Sequence, residues 1–207
     1  APGDPAAKES LQMIALHYAG LASTAANSGE VSIAINMLER AAAADRTLTD
    51  LDDVRKLISQ ATTAQSTIDA LLQEARGYRA ANQLIKPVGE NAAELYHRVL
   101  ATDPDNVFAA QGLDEVTAQI NASAEKLLVT GDLSAVELLV SQATAAGMSE
   151  SAVSVIRRRL DAEQKSLETI AESIETATRL LALGYLTAPA GNNAVASLRE
   201  VQQLDPG

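Results

Sequence analysis

The chain has 207 residues, 47% of them hydrophobic but only 2% aromatic, with one Phe and no Trp. An interior built from Ala, Leu, Ile and Val suits close helix-on-helix packing better than a sheet or a deep ligand cavity. The net charge of −11 repels phosphate backbones and argues against nucleic acid, and the absence of Cys excludes disulfides, thiolate nucleophiles and Cys-ligated zinc.

In chain order, the first predicted helix runs from about Pro5 to Asn27, with Pro5 tolerated in its first turn. Leu11, Ile14, Tyr18, Leu21 and Ala25 recur three or four apart and form its expected inward stripe. Gly29 followed by Glu30 breaks it, and Gly131 followed by Asp132 does the same later: a helix stop, then an acid at the start of the next helix. A shorter helix follows over about Val31 to Ala44, with Ile35, Leu38 and Ala41-Ala42 inward; its counterpart is Leu133 to Ala146. Thr47, with Asp50 three residues on, is the expected cap of the third helix, and Ser149 takes that place in the counterpart. The third helix is the long one, roughly Leu48 to Ala81 and Glu150 to Leu183. The second of these carries a heptad-like stripe: Val153, Ile156, Leu160, Leu167, Ile170, Ile174, Ala177 and Leu181. Asn82 and Gly184 are expected to end these helices, since both residue types tolerate a left-handed backbone.

The next stretch organises the rest. Pro87-Val88-Gly89-Glu90-Asn91-Ala92 and Pro189-Ala190-Gly191-Asn192-Asn193-Ala194 share the pattern P-x-G-x-N-A and lie 102 residues apart. Each Pro forbids helix continuation, each Gly permits a sharp turn, and Asn91 and Asn193 are placed to cap a fourth helix, with Glu94 completing a capping box in the first copy. That helix, about Ala92 to Ala101, stops before Asp103-Pro104, and the second copy stops before Asp205-Pro206. Sliding the whole chain by 102 residues without a gap also superposes Leu11 on Leu113, Ala22 on Ala124, Arg55 on Arg157, Thr67-Ile68 on Thr169-Ile170 and Val99 on Val201. The chain is therefore two tandem copies of one four-helix unit, over residues 1–102 and 103–207.

Two resemblances rest on these residues. Pro104-Asp105-Asn106-Val107-Phe108-Ala109-Ala110-Gln111-Gly112-Leu113, with Ala124, Gly131-Asp132-Leu133 and Ala143, resembles a tetratricopeptide repeat. That resemblance implies an all-α, TPR-like solenoid of antiparallel hairpins stacked in a right-handed superhelix around a continuous core. The segment L-x-x-P-x-G-x-N-A…V-L-x-x-D-P-x-N-x-x-A-x-x-G-L, filled from Leu84 to Leu113, is similar to the helical-repeat region of some bacterial envelope proteins, including TonB-like energy transducers and membrane-anchored Ser/Thr kinases. It implies a bacterial, periplasmic interaction module.

No catalytic, metal or cofactor constellation emerges. His17 and His97 do not correspond under the shift and have no ligand-spaced partner. Asp50, Asp52 and Asp53 lack the glycine and distal Glu of a calcium loop and suit the first turn of a helix. Arg55-Lys56 and Arg157-Arg158-Arg159 recur under the shift; they read as solvated faces pairing with local acids, or as part of a partner site. The structural punctuation is Gly29, Gly131, Asn82, Gly184, Pro87, Gly89, Asn91, Pro189, Gly191, Asn193, Pro104 and Pro206. No run of 18 apolar residues exists, so no membrane insertion is expected, and the opening Ala1-Pro2-Gly3-Asp4 reads as the start of a mature or excised segment. The expected function is a non-catalytic scaffold, without cofactor or metal, that presents a rigid helical surface to a protein or peptide. It is expected to be monomeric, with a dimer as the variant. The alternative is a structural spacer or oligomerisation rod built on the long heptad-bearing helices.

Overall fold

The computed structural model describes residues 4–204. They form eight helices: α1 (Pro5–Asn27), α2 (Val31–Ala44), α3 (Asp50–Ala80), α4 (Ala92–Thr102), α5 (Val107–Val129), α6 (Leu133–Ala145), α7 (Glu150–Ala182) and α8 (Ala194–Leu204). The architecture is all-α, without a strand among the described residues, and helices adjacent in sequence pack as hairpins.

The duplication is written into the backbone. The bounds of α1 and α5, and those of α4 and α8, are 102 residues apart at both ends. Asp4 and Asn106 cap α1 and α5 in the same extended conformation; Asp4 Oδ1 accepts from Ala6 N and Asn106 Oδ1 from Ala109 N, each at 3.0 Å. Positive φ recurs in pairs, at Gly29 and Gly131, Asn82 and Gly184, and Gly89 and Gly191. Asn82 reaches 60°, a left-handed conformation that few residues besides Gly and Asn adopt readily.

The copies diverge between their second and third helices. Asp45 ends α2 and accepts from Thr47 N at 2.8 Å and Thr47 Oγ1 at 2.7 Å. Thr47 is thereby committed to Asp45, and α3 begins only at Asp50, beyond the place where the sequence puts its cap. In the second copy Gly147 (φ 84°) closes α6, and Ser149 caps α7 by accepting from Ala152 N at 3.3 Å. One copy therefore turns this corner with a carboxylate and the other with a glycine.

Two compact units are present, and they do not follow the repeat boundary. One comprises the chain through Glu74 plus Arg98–Pro104; the other comprises Ala75–His97 and the chain from Asp105 onward. In the first, Ala19, Ala22, Ala25 and Ala26 of α1 meet Ala34 and Ala41 of α2 and Leu51, Val54 and Ile58 of α3. This corrects the expected α1 stripe. Leu11, Ile14 and Leu21 are 48%, 46% and 42% exposed, and the buried face is a line of alanines. Ile35 is likewise exposed, while Ala34 takes the inward place. Small side chains let helices approach closely, so Ala wins the hairpin interface and the larger residues are turned outward. In the second unit Val116, Ile120, Val136, Val140, Val153, Ile156 and Leu160 are buried. The far half of the α7 stripe also needs correcting. Ser173, Ala177 and Leu180 face inward, whereas Leu167, Ile174 and Leu181 stand in solvent.

Candidate interaction surfaces

The P-x-G-x-N-A turn is a clasp whose polar groups are used internally. Asn91 Nδ2 donates to Pro87 O at 2.9 Å while its Oδ1 accepts from Glu94 N at 3.0 Å. Asn193 repeats both bonds, to Pro189 O at 2.8 Å and from Ala196 N at 2.9 Å. The next two amides reach back across the turn: Ala92 N and Ala93 N donate to Gln83 O and Leu84 O, and Ala194 N and Val195 N to Tyr185 O and Leu186 O. The first-turn N–H groups that a helix leaves unpaired are thus consumed by the chain entering the turn. Both X-Pro bonds are cis. Glu94 departs from the expected capping box, because its carboxylate accepts from Gly89 N at 2.6 Å rather than from the Asn91 amide. Asn91 is fully buried and Asn193 nearly so, which makes these two side chains internal ties of the fold. Pro104 lies in the turn before α5, and Pro206 falls outside the described residues.

The basic residues are engaged locally. Arg55 pairs with Asp52 at 2.5 Å, one turn back, and Arg157 with Glu150 at 2.7 Å. Arg158 Nε donates to Ser154 O at 3.3 Å, and Lys56 is exposed on α3. Arg159 reaches Glu125 and so ties α7 to α5. Asp50, Asp52 and Asp53 occupy the first turn of α3, where negative charge complements the helix dipole. His97 lies against Gly147, with its Nε2 buried and without a hydrogen-bond partner, and this desolvation holds its pKa below the ordinary value of 6.5. No group of three or more His, Asp or Glu suited to a metal occurs among the described residues, nor is any helix there long and apolar enough to cross a membrane.

The informative surfaces are apolar, and pattern counting along the sequence missed them. In the second unit α5 covers the end of α3 and the start of α4. Gly112 sits over the Tyr96 ring, Arg79 pairs with Glu115, and Arg76 lies 5.8 Å from the centre of the Phe108 ring. Beneath this cover Leu84, Ile85, Ala93, Leu95 and Tyr96 are all buried. Their counterparts on the other copy are not: Leu186 is 52% exposed, Val195 37% and Leu198 51%. The signal lay in comparing the two copies, since the same position carries a large apolar residue in both yet is covered in only one.

Comparison of the chain with protein-family descriptions, with curated proteins and with solved structures finds no match.

Proposed function

We propose that this protein is a non-catalytic helical-repeat scaffold that holds a preformed apolar surface for a protein partner. One observation carries this reading: Leu167, Ile174 and Leu181, at successive heptad positions of α7, are about half exposed on a regular helix of 33 residues. Apolar side chains held in a row on a rigid element lose little conformational entropy when a partner covers them, so the transfer of their surface from water favours binding. Nothing comparable supports chemistry, because the polar side chains of the turn motifs are consumed by caps. A TPR-like solenoid is the finer description we favour, supported by the duplicated hairpins and by the resemblance of residues 104–113 to that repeat. Placement in the bacterial envelope is supported only by the resemblance of the Leu84–Leu113 segment.

The test is to replace Leu167, Ile174 and Leu181 together by Gln, confirm unchanged helicity, and compare proteins retained from a cell extract with those retained by the parent chain. Specific partners lost with the triple variant support the scaffold. An identical retained set from both chains contradicts it. A structural spacer or oligomerisation rod is the second reading, favoured by the heptad spacing of the same row.

A further inference from the structure

The open end faces identify an occupant. Under the 102-residue shift, the counterpart of α5 is α1, and the counterpart of the surface that α5 covers is the end of α7 with the start of α8. The α5 residues of that junction, Ala109, Gly112, Val116 and Ile120, are all buried. Their α1 counterparts Ala7, Ser10 and Ile14 are exposed, and Tyr18 is half-buried. Both halves of a junction that is complete inside the chain therefore stand open, one on the first helix and one on the last two. We infer that α1 of one copy docks on the α7–α8 face of a second copy, head to tail, reproducing the internal α4–α5 junction. This rests on reading the α7–α8 face as a partner surface and names the partner.

The chemistry of the open faces matches at three pairs. Tyr96 against Gly112 inside the chain becomes Leu198 against Ser10, a smaller residue facing a larger one, so the volume is conserved. The Arg79–Glu115 ion pair becomes Leu181 against Met13, which are 56% and 61% exposed: both charges are replaced by apolar groups, and neither would be left buried and unpaired. His97 against Gly147 becomes Arg199 against Asp45, opposite charges. Arg76 on Phe108 has no such equivalent, since the counterparts Thr178 and Ala6 are both small. Because the two surfaces differ, the contact is heterologous, and a dimer keeps two open faces, α1 of one copy and the α7–α8 face of the other.

The experiment uses two single variants of the full chain, Ile14→Asp in the α1 face and Leu198→Asp in the α8 face, both at exposed positions and both checked for helicity by circular dichroism. Sedimentation should give a mass that rises with concentration for the parent chain and stays at 21.6 kDa for each variant alone. Mixed, the variants should form a discrete species of twice that mass, since each retains the face the other lacks. A chain carrying both Met13→Glu and Leu181→Arg rebuilds the internal ion pair across the contact, and it should associate where each single substitution does not. A parent chain of constant mass at all concentrations overturns the inference, as does a symmetric dimer that survives Ile14→Asp. Partner capture from extract that still depends on Leu167, Ile174 and Leu181 would then leave the scaffold reading standing. Loss of that dependence as well would remove both.

Discussion

Gly112 of α5 lies on the ring of Tyr96 in α4, and a methyl group at that position would run into the ring's Cζ and Cε atoms. Tyr96 is 1% exposed and has nowhere to retreat. Gly112→Ala should therefore lose stability despite Ala's better helix propensity. Overpacking costs ~1–3 kcal/mol and the propensity gain returns about 1 kcal/mol. The matched control is Gly20→Ala in α1, where nothing lies within 4 Å and where the second copy already has Ala122. That variant should gain about 0.5–1 kcal/mol. Urea unfolding midpoints that move in opposite directions would establish the close approach.

The two clasp asparagines make the same two hydrogen bonds but sit in different surroundings. Asn91→Ala strands Pro87 O and Glu94 N next to the buried Leu84, Ile85 and Ala93 and should cost about 2 kcal/mol, the upper end for a lost helix cap. Asn193→Ala opens a turn flanked by exposed residues, where water replaces the lost partners, and should cost about 1 kcal/mol. Equal losses in chemical denaturation would argue that the two turns are equally covered.

Asn82 and Gly184 share one left-handed backbone position, with φ of 60° and 81°. Gly184→Ala forces a Cβ into that conformation and should cost about 1 kcal/mol. Asn82→Gly should stay within about 0.5 kcal/mol of the parent, because relief of the strained φ is offset by the entropy of the unfolded glycine. Thermal melts of the two variants check this ordering.

Burial of the His97 ring penalises its charged form and lowers its pKa from 6.5. The unfolded chain then binds the proton more readily than the folded one, so the His97 contribution is fully present above about pH 6.5 and is lost as the pH falls through the lower folded-state value. The parent chain should lose more stability between pH 7.5 and pH 5.5 than His97→Gln does. Asp45 titrates in a separate window. Its hydrogen bonds from Thr47 lower its pKa below 3.8, and the stability they contribute is lost only as the pH falls further through the depressed value. Parallel pH profiles for parent and His97→Gln would contradict the buried-ring account.

The helices, the 102-residue period and the turn residues were legible in the sequence because they rest on local rules: Pro and Gly stop helices, and Asn caps them. Burial was less legible. The α1 stripe of Leu11, Ile14 and Leu21 reads as an inward face, yet the α1–α2 hairpin closes on alanines and leaves those residues outside. The α7 stripe fails in the same way beyond Leu160, where Ser173 and Leu180 turn inward in place of Leu167 and Ile174. Periodicity identifies a face that favours burial but carries no information on which neighbour supplies the cover. At Tyr96 the cover is α5; at Leu198 the same face is half exposed, with no such helix over it among the described residues. The Thr47 cap was misread for a different reason, since Asp45 competes for that hydroxyl and sequence spacing does not show which of the two prevails.

The most direct measurement is amide hydrogen exchange of the parent chain at a low and a high protein concentration. At low concentration α8 should exchange faster than α4, its covered counterpart, and at high concentration protection should rise in α1, the end of α7 and α8 while α4 and α5 stay unchanged. Protection independent of concentration, or a rise that leaves α1 and α8 unchanged, would contradict the account.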